Sequence, residues 1–195
     1  MVKVILMRHA QSVFNVPHDK LHDQFEAGEI TKLQLDERLQ ALQRTYDVGL
    51  VNARITDKGH EQCLDAREEV YKRYPNIKRV ILSPLRRVIQ TFESTFAEYP
   101  QFKSKTLKIS FVEELRECLY SSGDVACWTE DEKSDVRFPE LYDWSFLNKY
   151  RDRDFWFLEV GSKNMYDKAM ALRKNSNSYS HETLPPNKVC VINFF

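Results

Sequence analysis

Arg8 and His9 follow directly on Val2-Lys3-Val4-Ile5-Leu6-Met7, a short apolar run rich in β-branched residues. Such a run reads as a buried strand. A guanidinium and an imidazole just past the carboxyl end of a strand stand where open α/β sheets place ligand chemistry. The pattern recurs. Arg79-Val80-Ile81-Leu82 is a second buried strand, with Arg86 and Arg87 shortly after it. Thr106 to Val112 is a third, followed by Glu113-Glu114-Leu115-Arg116-Glu117. Brought together by neighbouring strands, these groups suit phosphoryl transfer. A neutral imidazole can attack phosphorus and carry it as a phosphohistidine. Guanidinium forks can hold the equatorial oxygens, and a carboxylic acid can protonate the departing alkoxide. The sequence has no P-loop, no paired metal carboxylates and no His-Glu-x-x-His run, so the expected route uses no metal and no cofactor.

The elements that must position these residues alternate between strands and helices, which argues for a mostly parallel sheet with helices on both faces. Thr31 and Gln34 form a capping box ahead of a stripe of Leu35, Leu39 and Leu42. This helical stretch belongs to an insertion at about 16–52. Thr56 is an N-cap with Asp57 behind it, opening a helix that runs to about Tyr74 and stops before Pro75. Ser83 and Pro84 read as N-cap and N1 of the next helix, whose apolar face is Leu85, Val88, Ile89, Phe92 and Phe96. An aromatic-rich segment at about 128–157 reads as lid or core packing. Met165 to Leu172 suggests another helix, Asn175 to Pro186 a polar linker, and Val189-Cys190-Val191-Ile192 a fourth buried strand.

The bulk composition limits the partners. The chain has 195 residues, enough for one domain with a sizeable core. Its 29 basic and 29 acidic side chains cancel, so nothing global favours nucleic acid or an anionic membrane. Any anion recognition must be local. Cys63, Cys118, Cys127 and Cys190 lie far apart and read as reduced thiols of a cytoplasmic protein. No stretch has the roughly twenty apolar residues of a membrane span.

Arg8-His9-Ala10-Gln11-Ser12-Val13-Phe14-Asn15 resembles the Arg-His-Gly-Glu-Ser-x-x-Asn signature of the histidine phosphatase (phosphoglycerate mutase-like) superfamily. Ile55 to Gln62 is similar to its Leu-Thr-x-x-Gly-x-x-Gln helix start. Ser83-Pro84-Leu85-Arg86-Arg87-Val88-Ile89-Gln90-Thr91 matches Ser-Pro-Leu-x-Arg-x-x-Gln-Thr, and Glu114-Leu115-Arg116-Glu117 is similar to the acidic segment after the third strand. The resemblance implies a single three-layer α/β/α domain spanning 1–195. It implies His9 as phosphoryl acceptor, Arg8 with Arg87 as phosphate clamp, and Glu117, preferred over Glu114, as proton donor. Asn15, Ser12 and Gln11 become substrate contacts.

The chain departs from the pattern in one place. The family carries a second histidine after its fourth strand, in a Val-x-His-Gly-type sequence. Here the strand runs on into Asn193-Phe194-Phe195, and no histidine follows His181. The expected fold is therefore phosphoglycerate mutase-like with a C-terminal truncation. The expected function is a phosphomonoester phosphatase acting through His9 on a small phosphorylated substrate or a phosphoprotein. One alternative is an impaired relative that binds a phosphorylated ligand or partner without turnover. Another is a phosphoglycerate mutase-type phosphotransferase.

Overall fold

The computed structural model describes residues 4–44, 47–112, 115, 122–124, 135–145 and 191–192. Glu113, Glu114 and Glu117, the aromatic segment outside 135–145, the 165–172 helix, the 175–186 linker, Val189 and Cys190 of the expected fourth strand, and residues 193–195 lie outside them. The described helices are α1 (Asn15–Glu26), α2 (Lys32–Arg44), α3 (Asp57–Arg73), α4 (Arg86–Phe96) and the short α5 (Pro100–Lys103). The described strands form a small parallel sheet of β1 (Arg79–Leu82), β2 (Lys108–Phe111) and β3 (Val191–Ile192), in the order β2-β1-β3. Arg79 pairs with Lys108 and Leu82 with Phe111, while Ile81 and Leu82 pair with Val191 and Ile192. The described part is thus a helix-rich α/β arrangement around a parallel sheet. Among the described residues no helix is long and apolar enough to cross a membrane.

Local chemistry explains most of the boundaries. Thr31 N–H donates to Gln34 Oε1 at 2.9 Å and Gln34 N–H to Thr31 Oγ1 at 3.3 Å, the reciprocal box expected ahead of α2. Leu35 is buried, and α2 packs on α1. Thr56 Oγ1 accepts from Gly59 N–H at 3.0 Å and starts α3, which ends one residue before Tyr74. Val80 and Leu82 of the central strand, with Leu85, Val88, Ile89, Phe92 and Phe96 along α4, form the heart of the main core. Within the described part of the aromatic segment, Phe138 packs on Phe102, while Tyr142 and Trp144 pack on Phe111. The buried Glu93 carboxylate fastens this segment to α4. It accepts from Arg137 N–H at 2.8 Å, Phe138 N–H at 3.0 Å and Tyr142 O–H at 3.0 Å.

Two expectations are corrected. The N-terminal run is not a buried strand in its described part, residues 4–7, where only Leu6 makes an isolated bridge. Ile5 and Met7 pack on the core, but Val4 and Leu6 are 50% and 67% exposed. Both sides of β1 are already taken by β2 and β3, so this run cannot pair with the central strand. Neither Ser83 nor Pro84 caps α4. The N-cap is Leu85, which has no capping side chain, and Asn52 Oδ1 accepts the Arg86 N–H at 2.9 Å instead. Asn52 is fully buried and sits at φ 46°, a left-handed conformation that asparagine tolerates better than most residues.

Candidate active site

Residues 8–15 run across the amino-terminal ends of α3 and α4, and side chains of both helices hold them there. Ala10 N–H donates to Thr91 Oγ1 at 3.0 Å, and that hydroxyl donates to the Arg87 carbonyl at 2.7 Å. Gln11 N–H donates to Gln62 Oε1 at 2.8 Å, and Gln11 O accepts the Thr56 N–H at 2.9 Å. Ile55 N–H donates to Gln90 Oε1 at 2.9 Å. Ser12 bridges Ile55 in antiparallel fashion. A Cβ on Gly59 would stand 2.3 Å from the Gln11 carbonyl oxygen, so only glycine lets α3 begin this close to the loop. The Gly, Gln and Gln-Thr positions of the sequence motifs are struts between segments.

His9 is partly buried at the centre of this arrangement. Its Nδ1 lies 2.8 Å from the Ala10 carbonyl and its Nε2 lies 3.1 Å from Arg87 Nε. A carbonyl can only accept and a guanidinium N–H can only donate. The ring is therefore protonated on Nδ1, and its Nε2 lone pair faces Arg87. Burial first, then the positive charges of Arg87 and Arg8, lower the His9 pKa to about 4 against the pull of the Ala10 hydrogen bond. The imidazole is neutral at pH 7. That is the state a nucleophile needs.

Arg87 lies just past the carboxyl end of β1, in the first turn of α4, and is 1% exposed. Its Nε addresses His9, its Nη1 donates to the Gly123 carbonyl, and its Nη2 lies 3.5 Å from Asp124 Oδ1. Gly123 and Asp124 are buried as well. Arg8 is exposed but near enough to His9 and His18 to lower both their pKa values. Arg86 points elsewhere and pairs with Asp135.

The remaining sequence-predicted residues divide between local scaffolding and the undescribed part. Asn15 Oδ1 accepts from Ser12 N–H at 2.9 Å and Ser12 Oγ at 2.8 Å, fixing the turn into α1. Gln11 Nε2 donates to Asp19 at 2.7 Å, and its Oε1 accepts from Thr56 Oγ1 at 2.9 Å. The structure therefore brings His9 and Arg87 into contact, with Arg8 nearby, and ties Ser12, Asn15 and Gln11 into the loop's own framework. Glu117 lies outside the described residues. Asp124 was missed by sequence reasoning, since nothing near Ser122-Gly123-Asp124 signals a contact with Arg87, which lies 36 residues before Gly123. Among the described residues no group of three or more His, Cys, Asp or Glu side chains could hold a metal ion; the His18 and His22 rings, 4.8 Å apart, are a pair only. Two clefts of about 290 and 390 Å³ share His60, Gln90 and Asp135 and are lined by neither His9 nor Arg87.

No protein-family model matches the chain, and no curated protein matches it. Among solved structures the chain is similar to a mycobacterial glucosyl-3-phosphoglycerate phosphatase in complex with VO3. The identity is 17%, over 99% of this chain and 76% of that one, with a TM-score of 0.40. The functional reading accordingly rests on the site's own residues.

Proposed function

We propose that the chain is a phosphomonoester phosphatase that works through a phosphohistidine on Nε2 of His9. The observation that carries this reading is the neutral His9 ring, protonated on Nδ1, with its Nε2 lone pair 3.1 Å from the buried Arg87 guanidinium. In the first step Nε2 attacks phosphorus, the bond from phosphorus to the ester oxygen breaks, and a carboxylic acid protonates the departing alkoxide. Glu117 is the acid favoured by the sequence motif. In the second step water attacks phosphorus, the carboxylate left by the first step takes the water's proton, and the bond from phosphorus to Nε2 breaks, releasing phosphate and restoring the neutral imidazole. Arg87, joined by the exposed Arg8, neutralises the oxygens on which charge accumulates. The substrate is a small phosphorylated molecule or a phosphoprotein, read without a metal or a cofactor. The motif resemblance of residues 8–15 and 83–91 to the histidine phosphatase superfamily supports the same reading.

The test is acid-labile phosphate on the protein after rapid mixing with p-nitrophenyl phosphate. Wild type is expected to carry it and His9→Ala to lose it. Equal labelling of the two proteins sinks the proposal. Arg87→Ala is expected to slow turnover by roughly two to three powers of ten.

The second reading, an impaired relative that binds a phosphorylated ligand without turnover, is favoured by the Gly123 and Asp124 contacts on the Arg87 fork. Stabilisation by phosphate with no hydrolysis supports it. Turnover at ordinary enzyme rates excludes it.

A further inference from the structure

His18 and His22 stand four residues apart on α1, a spacing that puts both side chains on one face of the helix. Their ring centres lie 4.8 Å apart, with the planes tilted by 38°. Both residues are partly buried, and among the described residues no hydrogen bond or ion pair engages either ring. Imidazole nitrogens are preferred ligands of the late first-row divalent metals, and two of them one helical turn apart can share an ion. With a metal–nitrogen bond of about 2.0–2.1 Å and a ligand angle of roughly 90–110°, the two ring centres stand about 4.5–5 Å apart. The His18 and His22 rings already have that separation. We infer that they form a two-imidazole chelate for a divalent cation of the zinc, nickel and copper class, and that the bound ion clamps α1.

The helix that carries the pair has little else to hold it. Its N-cap is Phe14, which offers no capping side chain; its first turn has no acidic residue, its last turn no basic one, and none of its residues is fully buried. A cap and charges matched to the helix dipole are the usual local supports, and a helix of 12 residues is marginal without them. An ion shared by His18 and His22 would join two successive turns. The effect would reach the site loop, because Asn15 holds Ser12 and Asp19, next to His18, accepts from Gln11 Nε2 at 2.7 Å. Among the described residues no third His, Cys, Asp or Glu completes the set, so water takes the remaining positions on the ion. The ion has no part in the phosphoryl transfer read at His9, and the inference stands or falls apart from that reading.

The probe is Ni2+, titrated calorimetrically into the untagged full chain, with hydrogen exchange of the α1 amides followed with and without the ion. Wild type is expected to bind it. His18→Gln and His22→Gln are each expected to bind at least about tenfold more weakly, since each lacks one of the two ligands. His60→Gln, which alters an exposed imidazole on α3 beside Ser94, is expected to bind as wild type does. In wild type the ion is expected to slow exchange along α1, and the slowing is expected to vanish in both α1 variants. The exchange measurement on wild type needs no variant and holds whatever the substitutions do to folding. Equal binding by wild type and both α1 variants places the ion elsewhere and overturns the inference. Weakening in only one of them leaves a single imidazole ligand and overturns the chelate. No binding by wild type, or binding that leaves α1 exchange unchanged, overturns it too, and the two rings are then a stacked pair.

Discussion

Arg87 Nε lies 3.1 Å from His9 Nε2 and donates to it, which with the Ala10 carbonyl at Nδ1 sets the tautomer of the ring. Burial, and after it the same guanidinium, keeps the ring uncharged. His9 titrates at about 4 in the folded chain against about 6.5 when unfolded. The acid limb of kcat/KM is therefore expected near pH 4. A limb near pH 6.5 would remove His9 as the group seen in the profile. The folded chain also binds fewer protons at His9 than the unfolded chain between these two values. Its contribution to stability is complete above about pH 6.5 and falls as the pH drops toward 4. Between pH 7 and pH 5 the loss is on the order of 2 kcal/mol, and His9→Asn lacks it. Urea unfolding at the two pH values reads the difference.

Gly59→Ala drives a Cβ to 2.3 Å from the Gln11 carbonyl oxygen, and backbone must give way on one side. The expected cost is about 1–3 kcal/mol, typical of overpacking. The loop that bears His9 moves with Gln11, so turnover falls as well. A variant with wild-type unfolding and activity would show that α3 begins farther from the loop than the structure has it.

Asn52 combines a left-handed backbone with the acceptor for Arg86 N–H, and substitutions separate the two roles. Asn52→Gly keeps the backbone freedom and loses the acceptor, at about 1 kcal/mol for the hydrogen bond. Asn52→Ala loses both and is expected to cost roughly 1–3 kcal/mol more through strain. Chemical denaturation should order the chains wild type, Gly, Ala. The reverse order for Gly and Ala would mean that the φ of 46° matters little.

Glu93→Gln replaces two acceptor oxygens with one acceptor and an amide that can only donate. Three donors converge there, so at least one N–H or O–H loses its partner. The expected loss is about 1–3 kcal/mol, with protease sensitivity rising first around residues 135–142. Unaltered sensitivity there would show that Phe138 and Tyr142 hold the segment without Glu93.

Features with local causes were legible in the sequence. The Thr31–Gln34 box, the Thr56 cap and the apolar face of α4 depend on neighbours three or four residues away, and each stands as read. The misread features have distant causes. Ser83-Pro84 has the chemistry of a helix start, but the acceptor comes from Asn52, 34 residues before Arg86. The N-terminal apolar run has strand composition, yet pairing depends on which strands flank β1. The sequence placed His9 and Arg87 near each other, and they are in contact, although residues 4–7 ahead of His9 do not form the expected strand. Asp124 was not legible, because a buried counter-charge has no local periodicity.

Gln90 and Thr91 are consecutive residues on α4, yet one holds Ile55 and the other holds Ala10. A helix turns by about 100° per residue, so adjacent side chains reach two different segments at once. The amides of Ala10 and Ile55 are thus both protected by the integrity of one helix. In hydrogen exchange they should open together, at the free energy of α4 and independently of the exposed N-terminal run. The placement of His9 is inherited from the most deeply packed of the described helices, and heat or denaturant should erase it in one cooperative step.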